Sequence, residues 1–293
     1  MKKLCRIQLL VQGQYANSKP SFYIYMTLRL IIFGIIIISI VKGRYEHLLQ
    51  CSVALLYFCI PPFFERTFKA DVPTVIEIIC LFFIFSANIL GEIFSFYLKV
   101  PFWDTMLHAI YGFCCAGLGF SLFDLLNKDR DPELKFKLNP FYHCINAVGL
   151  TTIIAVLWEF IEFIADVFFG KDMQKDTVLT KFQTVYLDPT QSNIPVVFDN
   201  ITDTVVNGIR LEIDGYLDIG LYDTMKDMGV AMLGSVLFCF FLIPYIKSNG
   251  KNKFAALFIP TRRNWEENPP DSKIYHQIAK NKLNNNHKKE RNF

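Results

Sequence analysis

Glu92, Asp104, His108, Glu159, Glu162, Asp166, Asp223 and Asp227 stand inside or at the ends of apolar runs. A charge in hydrocarbon costs several kcal/mol unless it is paired or hydrated. Carboxylates and imidazole from several helices are also the ligand types that hold a divalent cation. Carboxylate oxygens suit Mg, Ca or Mn, and a histidine admits Zn or Fe. Such a cation would answer the mutual repulsion of many acids. Asp104, His108, Glu159, Glu162, Asp223 and Asp227 are the expected metal set. Within it His108 would serve as ligand or general base, Glu159 as ligand and Glu162 as acid or base. Lys226 lies beside Asp227 and is expected to point elsewhere on its helix.

The spacing groups these residues. Asp104 and His108 are four apart, as are Asp223 and Asp227, and each pair shares one helix face. Glu159, Glu162 and Asp166 form one stripe. The string WDTMLH from Trp103 resembles YDTMKD from Tyr222. Small residues follow each: Gly112, Ala116, Gly117 and Gly119 after the first, Gly229, Ala231 and Gly234 after the second. Small residues let helices approach closely in lipid, which fits a repeat-like packing role. The plainer reading is that Asp104 and Asp223 are helix caps and His108 an interhelical hydrogen-bonder.

The elements that must position this set are membrane spans. The chain has 293 residues, 52% hydrophobic and 15% aromatic, with mean hydropathy +0.29, more apolar than soluble domains. Runs of roughly 20 apolar residues span a bilayer. Six are expected: about Phe22–Val41, His47–Phe64, Val75–Tyr97, Trp103–Leu126, Phe141–Phe169 and Leu221–Ile246. Met1–Pro20 is polar without a small-residue cleavage pattern, so the first span is expected to stay as an anchor. The arm before it, the connections after spans two and four and the tail carry most Lys and Arg. That asymmetry puts both termini in the cytoplasm of a multi-pass cell-membrane protein. The acid-rich segment 170–220 then falls outside, and the candidate residues lie in the outer third of the bilayer.

Asp-x-x-x-His opening one helix, Glu within a later one and Asp-x-x-x-Asp opening the last resembles VanZ-like membrane proteins. The strings WDTMLHAIYGF, WEFIEFIAD, DMQKDT and GYLDIGLYDTMKDMGVAMLG look like YjdF-type uncharacterised bacterial membrane-spanning proteins, over about Pro73–Ile246. The resemblance implies that the motif residues act as a set in the bacterial cell envelope, and it carries no established activity. Asp227 stands where Asn is usual in VanZ, and the outer segment is longer.

The expected architecture is an all-α polytopic membrane protein with a small β-containing extracytoplasmic insertion between spans five and six. Residues 1–21 form a cytoplasmic arm, 22–247 the helical domain with the insertion at 170–220, and 248–293 a basic disordered tail. Asn207-Gly208 and Asp214-Gly215 favour tight hairpin turns in the insertion. The eight cysteines lie in apolar runs or the arm, show no Cys-x-x-Cys spacing, and read as packing residues. The functional expectation is a metal-dependent enzyme acting on a lipid-linked or envelope substrate. The alternatives are a proton- or cation-coupled transporter or sensor, and a structural membrane protein. The expected partners are the lipid bilayer and a lipid-linked substrate, and not nucleic acid, since basic residues beside a membrane favour orientation and anionic lipid.

Overall fold

The computed structural model describes residues 19–68, 70–128 and 138–262. It is mostly helical, with six helices long and apolar enough to cross a membrane. In hydrocarbon the backbone must satisfy its own hydrogen bonds, so runs rich in β-branched residues, such as Ile35–Ile38, still become helix. Helix α1 covers Lys19–Val41 and ends where Gly43 takes φ 67, a left-handed stop that glycine adopts at little cost. Helices α2 (Glu46–Tyr57) and α3 (Ile60–Phe68) together form the second span. They break just before Pro61 and Pro62, whose missing N–H groups and rings interrupt a helix.

Strand β1 (Ala70–Asp71) precedes α4 (Thr74–Phe85), which continues as a π-helical stretch over Ser86–Ile93. The expected third span reached Tyr97, but the helix stops at Ile93. Ser95 at φ 60 turns the chain, α5 covers Phe96–Lys99, and Phe102 at φ 62 turns it again. Tyr97 folds back onto Gly91, where a Cβ would stand 2.3 Å from the Tyr97 ring. Tyr97 therefore belongs to a strap lying beside the helix and not to its last turn.

Helices α6 (Trp103–Lys128), α7 (Pro140–Phe169) and α8 (Leu221–Lys247) are the main bundle. Asn139 caps α7: its Oδ1 accepts from Phe141 N at 3.0 Å and Tyr142 N at 3.2 Å, with Pro140 in the first turn. Gly170 at φ 59 ends the helix. Ala116, Phe120, Cys144, Ala147, Phe238 and Leu242 form the core of these three helices. A second core of Tyr25, Ile32, Cys51, Phe58, Leu81 and Ile89 joins α1, α2 and α4. Outward faces such as Leu30, Ile37, Phe160, Ile164, Leu233 and Phe240 are exposed and apolar, as lipid contact demands.

The insertion holds three antiparallel two-stranded pairs. β2 (Thr177–Leu179) pairs with β7 (Tyr216–Asp218), β3 (Phe182–Thr184) with β4 (Val196–Phe198), and β5 (Val205–Val206) with β6 (Ile209–Arg210). Asn207 and Gly208 take φ 52 and 79, so the expected tight turn joins β5 to β6. Asp214-Gly215 makes no hairpin. Gly215 packs against the Leu179 carbonyl and leads into β7.

The chain beyond α8 corrects the expectation of disorder from residue 248. Helix α9 (Lys253–Ala256) and strand β8 (Thr261–Arg262) fold back under the bundle. Ala255, Phe258 and Ile259 are buried, β8 pairs with β1, and Ser121 Oγ donates to Pro260 O at 2.5 Å. The apolar Phe254–Ile259 stretch supplies the burial that the surrounding Lys- and Asn-rich sequence hid. Most of the expected arm, the basic connection at 129–137 and the tail from 263 lie outside the described residues.

Candidate metal centre

Two glycines set the distance between α6 and α8. A Cβ on Gly112 would stand 2.1 Å from Ala231 O, and one on Gly234 would stand 2.5 Å from Ala109 O. The two backbones therefore touch, as small residues permit in lipid. Gly112 and Ala231 occupy matching places in the two repeat-like strings. One turn nearer the helix starts, the matching pair is His108 and Asp227, which also meet: His108 Nε2 is 3.6 Å from Asp227 Oδ2. The same nitrogen is 3.6 Å from Asp104 Oδ1.

Asp104, His108 and Asp227 each offer one ligand atom, and these atoms lie within 4.8 Å of one another. Tetrahedral ligands at about 2.1 Å from an ion stand about 3.4 Å apart. The two histidine–carboxylate separations, 3.6 Å each, are close to that spacing. His108 and Asp227 are buried, at 7% and 2% exposure. Asp104 Oδ2 and Asp227 Oδ1 make no hydrogen bond among the described residues. The cation facing both oxygens is the Lys226 ammonium, at 3.8 Å and 3.5 Å.

Lys226 corrects one expectation. Its Nζ does not point away: it lies 2.6 Å from Asp223 Oδ1, 3.5 Å from Asp227 Oδ1 and 3.8 Å from Asp104 Oδ2. Its long stem carries the ammonium round the helix. The signal was present, because Asp223 and Lys226 have the i, i+3 spacing of a helical ion pair. Asp223 is also held by the insertion: its Oδ2 accepts from Lys175 N at 2.8 Å. Among the described residues it makes no capping bond to α8; Asp218 accepts from Tyr222 N there instead, at 2.9 Å.

The α7 acids divide into distinct roles. Glu159 is buried, with the donor side chains of Thr224 and Gln174 beside its carboxylate. Its acidic neighbours are Asp223 and Asp104. Glu162 is buried and accepts from Trp158 Nε1 at 2.7 Å. Neither belongs to the close triad. Asp166 organises the insertion's first turn, accepting from Met173 N at 2.6 Å and Gln174 N at 2.8 Å. Gln174 Nε2 then donates to Thr224 Oγ1 at 2.6 Å, tying that turn to α8. Glu92 is exposed and is not part of the close triad. The roles of Gln174, Lys175 and Asp166 were not legible beforehand, because they depend on how the chain turns after Gly170.

Residues 24–248 match the model of a family described as a predicted membrane protein, DUF2238. The chain belongs to this family. No curated protein and no solved structure matches it. The matched stretch contains every residue of the triad, Lys226 and both α7 glutamates, so the whole constellation lies within the family's own span.

Proposed function

We propose that the α6–α8 triad holds a divalent cation and that the protein is a metal-dependent enzyme of the bacterial cell envelope, working near the outer membrane face on a lipid-linked or envelope substrate. The observation that carries this reading is the convergence of His108 Nε2 on two carboxylates at 3.6 Å each. Asp104, His108 and Asp227 supply the ligands, and Asp223 holds Lys226 beside them. With three aspartates and one lysine ionised, the group keeps a charge that one divalent cation neutralises. Such a cation polarises a bound phosphoryl or carbonyl oxygen, or lowers the pKa of a bound water. Glu159 and Glu162 stand outside the triad and suit acid and base work. The likeness to VanZ-like and YjdF-type proteins supports these residues acting together.

Elemental analysis of the purified full chain tests the reading. About one Zn, Mn or Fe per chain is expected in wild type and loss of it in Asp104→Asn/Asp227→Asn, while Glu159→Gln keeps the metal. Absence of metal from wild type, even after loading and gel filtration, overturns the proposal. Protonated acids and a proton-coupled transport role would then account better for the same residues.

A further inference from the structure

Beside the triad a cleft of about 240 Å³ runs under the strap between α4 and α6. Asp104, Asp223 and Lys226 belong to the triad's neighbourhood and also line this cleft. The other polar groups along it are mostly cationic or donors. Lys99 comes from the strap and Lys175 from the insertion. Trp103 also lines it, and Trp103 Nε1 is buried without a hydrogen-bond partner among the described residues. Lys99 Nζ donates to Phe94 O at 2.9 Å, and Lys175 Nζ donates to Asp172 O. An ammonium has three N–H groups, so each lysine keeps donors for a ligand.

The rim has the opposite character. Leu98 and Phe102 are 82% and 81% exposed, and they belong to the strap that connects two membrane spans. At that level such side chains face the interfacial region of the bilayer. One opening thus presents an apolar lip to lipid and ammonium groups to its interior. That combination fits an amphiphile with an anionic head.

We propose that this cleft binds the phosphate-bearing headgroup of a lipid, with Lys99, Lys175 and Trp103 Nε1–H as donors, and that such a lipid is the substrate class of the neighbouring triad. The substrate half of this statement rests on the triad being a reaction centre, and the binding half does not. Asp104 lines both cleft and triad, so a headgroup lodged at the lysines lies next to the proposed metal position.

The test is binding of dioctanoyl phosphatidate to the purified full chain, measured by calorimetry in EDTA so that the triad's metal plays no part. Saturable binding is expected, weakened at least about tenfold by Lys99→Gln/Lys175→Gln, which removes two charged donors. Lys171→Gln/Lys181→Gln, outside the cleft, should bind as wild type does. Dioctanoyl glycerol should not bind, and inorganic phosphate should bind far more weakly. Equal affinity for the uncharged lipid, or an undiminished affinity in the cleft variant, overturns the proposal. So does an equal loss in the control variant. Inorganic phosphate binding as tightly as phosphatidate would assign the cleft to free phosphate instead. A metal titration without lipid reports on the triad alone, so failure of one reading is visible separately from failure of the other.

Discussion

Lys226 lies within 2.6 to 3.8 Å of three aspartates, and it competes with any cation for Asp104 and Asp227. Removing a charge a few ångströms from a divalent ion at a half-exposed site relieves repulsion worth more than about 1.4 kcal/mol, or a factor of ten in affinity. Lys226→Met should therefore bind Mn at least about tenfold more tightly, read by calorimetry. An unchanged affinity would mean that the ammonium does not share the site. Glu159 poses the converse case. A buried carboxylate facing Asp223 and Asp104 is repelled by them, and neutral glutamine relieves that repulsion. Glu159→Gln should raise the melting midpoint in detergent. A fall would show that the charge is held by a partner in the folded protein.

The crossing of α6 and α8 brings the ligands together, and a glycine at the crossing differs from one off it. Gly112 has Ala231 O at 2.1 Å from an added Cβ, whereas Gly229 has nothing within 4 Å. Gly112→Ala should cost about 1–3 kcal/mol through forced separation and weaken metal binding. Gly229→Ala should be neutral, or stabilising by up to about 1 kcal/mol from helix propensity. Equal effects would remove the crossing from the account. In the insertion, Asp188 accepts from Thr190 Oγ1 at 2.7 Å and from the backbone N–H groups of Ile194, Thr190 and Ser192. These bonds hold its carboxyl down to about 2. A depressed acid stabilises the fold above its unfolded value, about 4, and loses that contribution as pH falls toward 2. Pepsin cutting within 188–194, scaled to cutting elsewhere, should rise steeply between pH 4 and 2. In Asp188→Ala the loop should be open at every pH.

Six spans were legible because hydropathy is a local signal, and the matched WDTMLH and YDTMKD strings with the small residues after them pointed to a packing role for α6 and α8. The strap after Ile93, the folded-back α9 and the reach of Lys226 were not legible. Each depends on contacts between distant segments, such as Tyr97 on Gly91 and β8 on β1. Pairing of β8 with β1 puts the connection before α4 and the chain after α8 at one end of the molecule, opposite the triad. Which end faces outward is set by the Lys and Arg asymmetry alone, which predicts an outward-facing insertion. A cysteine placed at the exposed Ser192 should react with an impermeant thiol reagent in intact cells. Protection there would put the site on the cytoplasmic face and remove envelope substrates from consideration.

Metal binding by the triad underlies the proposed activity, and thermal melting of the full chain in detergent tests it directly. A ligand present at about 100 times its Kd stabilises the folded state by about 2.7 kcal/mol. Added Mn or Zn should raise the midpoint of the EDTA-treated protein by several degrees, and His108→Ala or Asp104→Asn/Asp227→Asn should abolish the rise. A midpoint unmoved by every divalent ion, or a rise that survives in those variants, would contradict a metal centre at Asp104, His108 and Asp227.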